Sequence, residues 1–248
     1  MKTIYIMWLR ELKRYIRSKS RIIGSLGQPI LFLVALGYGL GHVFQKAGEG
    51  NYISFLAPGV IGMSIIFTAI FSGIQLIWDR EFGFLKETMV APVSRLNIMI
   101  GRTLGGATIA TLQGLIVFAL ALIPGFRPVN WLLLVPAVFV MLLIGLLFAA
   151  LGTALASQLD DMQGFPLIMN FLVMPLFFLS GALFPLDGLP RGLDIVTKFD
   201  PLTYGIDAFH ILFSGAGHFA LGTDIGVLAA VTAVFIALGS YLFSKIQI

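Results

Sequence analysis

Six long apolar runs dominate the sequence of this 248-residue chain. An α-helix needs about 20 consecutive apolar residues to cross the hydrocarbon core of a bilayer. The runs reach that length, and they do not alternate polar and apolar positions as the strands of a membrane β-barrel would. The sequence therefore predicts an all-α polytopic membrane protein with six transmembrane helices, at 22–44, 55–77, 98–123, 131–156, 166–184 and 225–243.

Composition excludes several kinds of chemistry. Hydrophobic residues make up 58% of the chain and charged residues only 11%, whereas soluble domains carry about 25% charged residues. Cysteine is absent, which excludes disulfides, zinc–thiolate sites and cysteine nucleophiles. The sequence also lacks a phosphate-binding G-x-x-x-x-G-K-[ST] loop, an H-E-x-x-H motif and a G-x-S-x-G elbow. We therefore expect no enzymatic activity, no metal and no cofactor in this chain.

The predicted spans contain no Asp or Glu, and their one full charge is Arg102, which can snorkel to the interface. Ion-coupled transporters and proton pumps need ionisable groups inside the membrane. Uphill transport by this chain would therefore draw its energy from outside the chain. Gln75, Gln113 and Asn170 are candidates for lining a pathway, although each also fits ordinary helix packing.

Small residues four positions apart predict close helix approaches within the bundle. The pairs are Gly37 with Gly41, Gly101 with Gly105, and Gly145 with Ala149.

The distribution of basic residues predicts the orientation. Twelve Lys and Arg fall on one side of the predicted spans and four on the other, and the positive-inside rule places the richer side in the cytoplasm. Both termini are then cytoplasmic, in the cell's inner membrane, with no cleavable signal peptide. Residues 199–215 are short and polar enough to be re-entrant or interfacial. If they spanned the membrane instead, the C-terminus would lie outside.

The N-terminal stretch 1–21 predicts an amphipathic helix at the membrane interface. Ile4, Trp8, Leu12 and Tyr15 recur on one helical face, and basic residues occupy the remainder. The alternative is a basic flank that only orients the first span.

Two connecting segments are longer and more patterned than simple turns. Residues 78–95, W-D-R-E-F-G-F-L-K-E-T-M-V-A-P-V-S-R, place Phe82, Leu85 and Met89 on one apolar stripe. This pattern fits a cytoplasmic helix that docks in a groove of a soluble partner, and it fits equally a helix lying flat on lipid headgroups. The second segment, 185–215, predicts two short helices that dip into the outer leaflet before the last span. A globular outer loop is the alternative.

These two segments closely resemble the hallmark motifs of the membrane subunit of ABC-2 type exporters. Residues 78–95 resemble the family's coupling helix, while F-L-S-G-A-L-F-P-L and D-P-L-T-Y-G-I-D-A-F resemble its second motif. The closest likeness is to drug-resistance and nodulation-factor exporter permeases. Phe84 stands where the family often has Thr, and His210 where it often has Arg.

The resemblance implies an assembly and a set of roles. Two copies of this permease, as a homodimer among membrane lipids, would bind two soluble ABC ATPase subunits that hold ATP and Mg. Together they would export an amphipathic or hydrophobic substrate such as a drug, a lipid or a lipid-linked glycan, and no nucleic acid is involved. The ATPase would be contacted by Arg80, Glu81, Phe82, Phe84, Leu85 and Glu87, with Pro92 and Arg95 shaping the helix end. The outer gate would contain Pro201, Tyr204, Asp207 and His210.

Two other functional classes remain open from the residues alone. A passive channel or secondary carrier would work without an ATPase. A membrane enzyme acting on lipids would need an acid–base or metal constellation in the interfacial loops, and none is evident in the sequence.

Overall fold

The computed structural model describes residues 2–46, 51–85, 88, 93–159 and 161–245, and these residues form helices and connecting turns without a β-strand. The predicted all-α class is confirmed for that part of the chain. The helices are α1 (Lys2–Arg17), α2 (Lys19–Lys46), α3 (Tyr52–Phe71), α4 (Ile74–Glu81), α5 (Arg95–Ala121), α6 (Leu134–Ala156), α7 (Gly164–Leu179), α8 (Arg191–Phe199), α9 (Pro201–Ser214) and α10 (Leu221–Ser244).

Among the described residues, five helical stretches are long and apolar enough to cross a membrane. The chain is therefore a multi-pass membrane protein. The five stretches are Lys19–His42, Tyr52–Glu81, Arg95–Ala121, Trp131–Ala156 and Leu221–Ser244.

The predicted span at 166–184 corresponds to α7, which has only 16 residues. That length gives about 24 Å of helix, against a hydrocarbon core of about 30 Å. The helix ends early because Gly181 has φ +79° and turns the chain, a left-handed conformation that glycine adopts without steric cost. The six-span count therefore stays a prediction.

Two helical stretches extend beyond the predicted bounds and gain acidic residues. The second span includes α4 and with it Asp79 and Glu81, and α10 starts early enough to include Asp224. The expectation of acid-free spans was therefore wrong at these two helix ends. The side chains of Asp79 and Asp224 are buried.

The core of the bundle forms around α3, which packs against α2, α5, α6 and α9. The side chains of Leu56, Val60 and Ile66 on α3 are fully buried. A Cβ atom at Gly59 of α3 would collide with the backbone oxygen of Ala182. The chain that follows α7 therefore folds back tightly onto α3.

Glycines on α5 make the closest helix approach that concerns the site described below. A Cβ at Gly101 would lie 2.7 Å from Met7 Cβ and 2.8 Å from the Ile4 carbonyl oxygen, and one at Gly105 would lie 2.7 Å from Glu11 Cβ. Small residues allow helices to pack this closely in membranes. The predicted close approach at Gly101 and Gly105 is confirmed, and the partner helix is α1.

Phenylalanines hold the opposite end of the bundle together. Phe213 at the end of α9 packs against Phe118 and Phe126, with ring centroids 5.3 and 5.8 Å apart. The Val129 N–H also donates to the Phe213 carbonyl at 2.9 Å. These contacts fix the end of α9 to the connection between α5 and α6.

We predict that Gly101→Ala destabilises the protein, because the added methyl group collides with α1. Overpacking a tight interface costs about 1–3 kcal/mol, measurable as a lower free energy of unfolding in detergent. The matched control is Gly226→Ala in α10, whose Cβ would meet nothing within 4 Å. Equal stability of the two variants would contradict the close packing of α1 on α5.

Candidate functional site

A buried ion network surrounds Asp79 near the end of α4. The Asp79 side chain is 3% exposed and binds three guanidinium groups. Arg102 Nη1 lies 2.6 Å from Oδ2, Arg14 Nη2 lies 3.1 Å from Oδ1, and Arg10 also donates to Oδ2. A carboxylate removed from water is tolerated only with such partners. One carboxylate therefore joins α1, α4 and α5.

The local sequence explains how two arginines reach the same carboxylate. Arg10 and Arg14 are four residues apart on α1, so their side chains lie on one helix face. Gly101 and Gly105 allow that face to approach α5 closely. The guanidinium groups then extend towards Asp79 between the two helices.

Neutral hydrogen bonds extend the contact between α1 and α5. The Trp8 indole N–H donates to Thr108 Oγ1 at 3.0 Å, and the Tyr15 hydroxyl donates to Gln113 Oε1 at 2.6 Å. With the contact at Gly101, these bonds place α1 alongside α5 over more than three helical turns.

These contacts differ from the basic face predicted for the N-terminal helix. Of the basic residues expected to face lipid headgroups, Arg10 and Arg14 turn inward to Asp79. The apolar side chains of Tyr5, Ile6 and Ile16 are instead exposed. The membrane-interface position of this helix stays a prediction.

Arg102 also differs from its prediction. Its side chain is 5% exposed and lies against Asp79, so it does not snorkel to solvent. The cause is Asp79, which lies just beyond the predicted second span and gives the Arg102 guanidinium a buried counter-ion.

The residues predicted to contact an ATPase divide into exposed and buried groups. Glu81, Phe82 and Phe84 are exposed, the two phenylalanines by 65% and 53%. Leu85 is 1% exposed and packs inward. Gly83, with φ +79°, forms the turn between the two phenylalanines. We call residues 81–85 the docking turn.

The other residues predicted at this interface serve as backbone ties or lie outside the described residues. Arg80 donates to the Leu159 carbonyl, and Arg95 donates to the Ser244 carbonyl at 2.8 Å. These bonds connect the residue just before the docking turn to the chain just after α6, and the start of α5 to the end of α10. Glu87 and Pro92 lie outside the described residues.

The four predicted gate residues all lie on α9. Pro201 begins the helix, and the Tyr204 hydroxyl donates to the Lys198 carbonyl at 2.8 Å. Asp207 is buried and accepts the backbone N–H groups of His218 and Phe219 at 2.6 and 2.7 Å. The carboxylate therefore holds the loop between α9 and α10 against α9.

The surroundings of His210 favour the neutral form of its ring. Its ring stacks on Phe55 with centroids 4.9 Å apart. Burial lowers the pKa of His210 to about 4, although the nearby Asp207 carboxylate opposes the shift. The lowered pKa argues against a role for this position that depends on positive charge at neutral pH.

Asp200, like Asp207, is a buried acid at this end of the bundle. Burial raises its pKa to about 7, opposed by the hydrogen bond that its side chain accepts from the Leu202 N–H at 2.8 Å. That bond also caps the N-terminus of α9.

A cavity of about 400 Å³ lies beside the Asp79 network, between α1, α2, α3, α4 and α5. Of the three polar residues predicted to line a pathway, Gln75 lines this cavity. Gln113 is fully buried in its bond with Tyr15, and Asn170 is exposed on α7.

Sequence reasoning missed Asp79 and Glu11 as site residues. One signal for Asp79 was available, because a lone acid at the end of an apolar run and a lone Arg102 in the next run form a natural pair. No local pattern marks Glu11, whose burial depends on the glycines of α5.

Comparison with known proteins gives a consistent family. The family model described as "ABC-2 type transporter" matches residues 2–214. Nodulation protein J of Rhizobium leguminosarum bv. trifolii is 32% identical, covering 85% of this chain and 78% of the relative. Nodulation protein J of Rhizobium leguminosarum bv. viciae is 30% identical over 90% of this chain and 84% of the relative. The ycf38 protein of Cyanophora paradoxa is 28% identical over 99% and 89%.

We predict that Asp79→Asn strongly destabilises the protein, because three guanidinium groups lose their shared buried counter-ion. Breaking a buried ion pair costs about 3–5 kcal/mol, measurable by denaturation in detergent. The control is Asp194→Asn, which removes the exposed Lys198–Asp194 pair at 2.8 Å and should cost at most about 1 kcal/mol. Similar losses in the two variants would argue against the network.

We also predict that Asp200→Asn changes the pH dependence of stability. In the wild type, the raised pKa of Asp200 means that its protonated form stabilises the fold. This contribution is complete below pH 3.8, the ordinary pKa of the side chain, and is lost as the pH rises towards about 7. Asparagine can keep the helix cap but does not ionise, so unfolding temperatures from pH 4 to 8 should fall less steeply.

The matched control for this variant is Asp161→Asn. Asp161 accepts backbone N–H groups of Gln163 and Gly164 at 2.8 and 3.0 Å but is exposed. Its pH profile should follow the wild type. If Asp200→Asn also gave the wild-type profile, the raised pKa of the buried Asp200 side chain would be refuted.

Proposed function

Because the chain belongs to the ABC-2 type transporter family, we propose that it is the permease subunit of an ATP-driven exporter. In this proposal, a separate ATPase subunit binds ATP and Mg and supplies the energy. This chain provides the path by which an amphipathic or hydrophobic substrate leaves the cell. The observation that carries the proposal is the docking turn, which exposes two aromatic side chains within five residues of Asp79, the centre of a buried ion network.

The docking turn has the properties of a partner-binding element. Exposed aromatic side chains that fill pockets provide most of the binding energy in many protein interfaces. Phe82 and Phe84 would be inserted into a groove of the ATPase, and Glu81 would contribute to its orientation. Leu85 faces inward, so in the proposal it anchors the turn and does not contact the ATPase.

The ion network gives the docking turn a rigid connection to the bundle. Asp79 lies three residues before Phe82 and is bonded to α1 and α5. Arg80 extends the connection to the Leu159 carbonyl, just after α6. A movement imposed on the docking turn would therefore be passed to several helices at once.

The proposal includes a topology. The five long helices and α7 form six spans, with both termini in the cytoplasm of the cell and the docking turn on the same side. With 14 residues, α9 is about 21 Å long, which supports a re-entrant position for α8 and α9 at the outer side. The exposed apolar face of α2, including Leu31, Val34 and Tyr38, would meet lipid or a second copy in a homodimer.

We predict that Phe82→Asp and Phe84→Asp each reduce co-purification with the ATPase at least tenfold. A carboxylate cannot occupy a desolvated aromatic pocket without a large penalty. The measurement is the amount of ATPase retained by the tagged permease in detergent, together with ATP-dependent export.

The matched control is Phe199→Asp at the end of α8, where the side chain is 84% exposed. This variant should retain the ATPase as the wild type does. Full retention by Phe82→Asp and Phe84→Asp would contradict the docking turn. Uphill transport by the purified chain without an ATPase would favour a secondary carrier.

A further inference from the structure

We propose that the buried carboxyl group of Asp224 is a proton-binding site that controls the contact between α9 and α10. Asp224 lies in the first turn of α10, and the residue is 0% exposed. It is one of the two buried acids that the structure adds to the spanning helices. The other, Asp79, binds three guanidinium groups, whereas Asp224 forms no ion pair among the described residues. The inference does not depend on the proposed export function.

Both carboxyl oxygens of Asp224 are buried. Among the residues that the structure describes, no N–H or O–H group donates to either oxygen. The N-terminus of a helix favours a nearby negative charge, but the N–H groups in the first turn of α10 do not bond to this side chain. A carboxylate without water or a donor is very unfavourable inside a protein, and such a group takes up a proton instead. The geometry therefore favours the protonated, neutral form of Asp224.

The helices around Asp224 supply a like charge and no counter-ion. α10 packs mainly against α5, α6 and α9. On α9, the Asp207 carboxylate is close enough to repel a charge on Asp224, and that charge would also act on the Tyr204 hydroxyl. α6 contains no titratable residue. The two arginines of α5 lie at the other end of the bundle, where Arg102 binds Asp79 and Arg95 binds the end of α10.

Three basic side chains lie on or beside α9, and none of them donates to Asp224. Lys198 pairs with Asp194 at 2.8 Å, and the His218 ring lies 2.9 Å from Asp187. The His210 ring stacks on a phenylalanine of α3. A proton on Asp224 itself is therefore the means of neutralising its charge that these surroundings leave.

Asp207 connects the protonation of Asp224 to the loop between α9 and α10. Its two oxygens accept the N–H groups of His218 and Phe219 at 2.6 and 2.7 Å, and the Phe219 ring stacks on Tyr204 with centroids 5.1 Å apart. Loss of the proton from Asp224 would bring two negative charges together away from water, and they would repel each other. We expect α9 and this loop to separate from α10 in that state.

The proton moves without any other reactant than water. When α9 and α10 part, water reaches Asp224, the O–H bond of the carboxyl group breaks, and the proton passes to that water. Rebinding of a proton neutralises the carboxylate and allows the two helices to pack again. The site would link the pH at this end of the bundle to the position of α9, the helix that carries all four predicted gate residues.

The first test is the infrared spectrum of the full chain in lipid nanodiscs at pH 7. A protonated carboxyl group absorbs at a higher C=O stretching frequency than a carboxylate. The wild type should therefore show one protonated carboxyl band that Asp224→Asn lacks. Asp224→Leu repeats the comparison with a side chain that needs no hydrogen-bond partner. The control is Asp194→Asn, which removes an exposed carboxylate paired with Lys198 and should remove no such band.

Two infrared results would overturn the proposal. One is that neither Asp224 variant lacks a protonated carboxyl band of the wild type, because Asp224 would then carry no proton. The other is a band that persists unchanged up to pH 9, because the proton would then not respond to pH.

The second test asks whether this proton controls the loop. Hydrogen exchange of residues 215–220 is compared between the wild type and Asp224→Asn at the same pH, so that the intrinsic pH dependence of exchange cancels. Below the pH at which the infrared band disappears, the two proteins should exchange equally. Above it, the wild-type loop should exchange at least tenfold faster, because only the wild type carries the added charge.

Equal exchange of the two proteins above that pH would refute control of the contact between α9 and α10 by Asp224. Both measurements use the chain without ATPase or ATP. Their failure is therefore distinct from a failure of ATP-driven export.

Discussion

The buried carboxylate of Asp79 is the interaction on which the rest of the account depends. Three guanidinium groups from two other helices surround it, so α1, α4 and α5 must stay together or leave charges buried without partners. Without this network, the contacts described for α1 would be glycine packing and hydrogen bonds from Trp8, Arg14 and Tyr15. With it, the N-terminal helix becomes part of the element that carries the docking turn.

The two ends of the bundle are built by different means. Around Asp79, ionic contacts and hydrogen bonds to backbone carbonyls connect helix ends beside a cavity. Around Asp207, aromatic rings and backbone hydrogen bonds to one carboxylate fix α9 and its following loop. This difference suits a protein that receives movement at one end and releases a substrate at the other, as the proposed exporter would.

The sequence predicted the helical class and six spans, and five of those spans match helices long and apolar enough to cross a membrane. Long apolar runs are predictable in this way because exposing backbone polar groups to lipid is costly, which leaves such runs few structures other than a helix. Helix ends were less predictable: the second span continues through α4 and includes Asp79, α10 begins early enough to include Asp224, and a glycine turn shortens α7. The inward position of Arg10 and Arg14 was missed because helical periodicity describes only one helix. Their partner lies 65 or more residues away in sequence.

The most direct test of the account is whether α1 and α5 move as one unit when the ATPase binds ATP. The chain has no cysteine, so spin labels can be placed at the exposed pairs Lys13→Cys with Leu96→Cys, and Lys13→Cys with Asp187→Cys. Pulsed electron resonance should give an unchanged distance for the first pair and a changed distance for the second upon ATP binding. A nucleotide-dependent change between positions 13 and 96 would contradict the account.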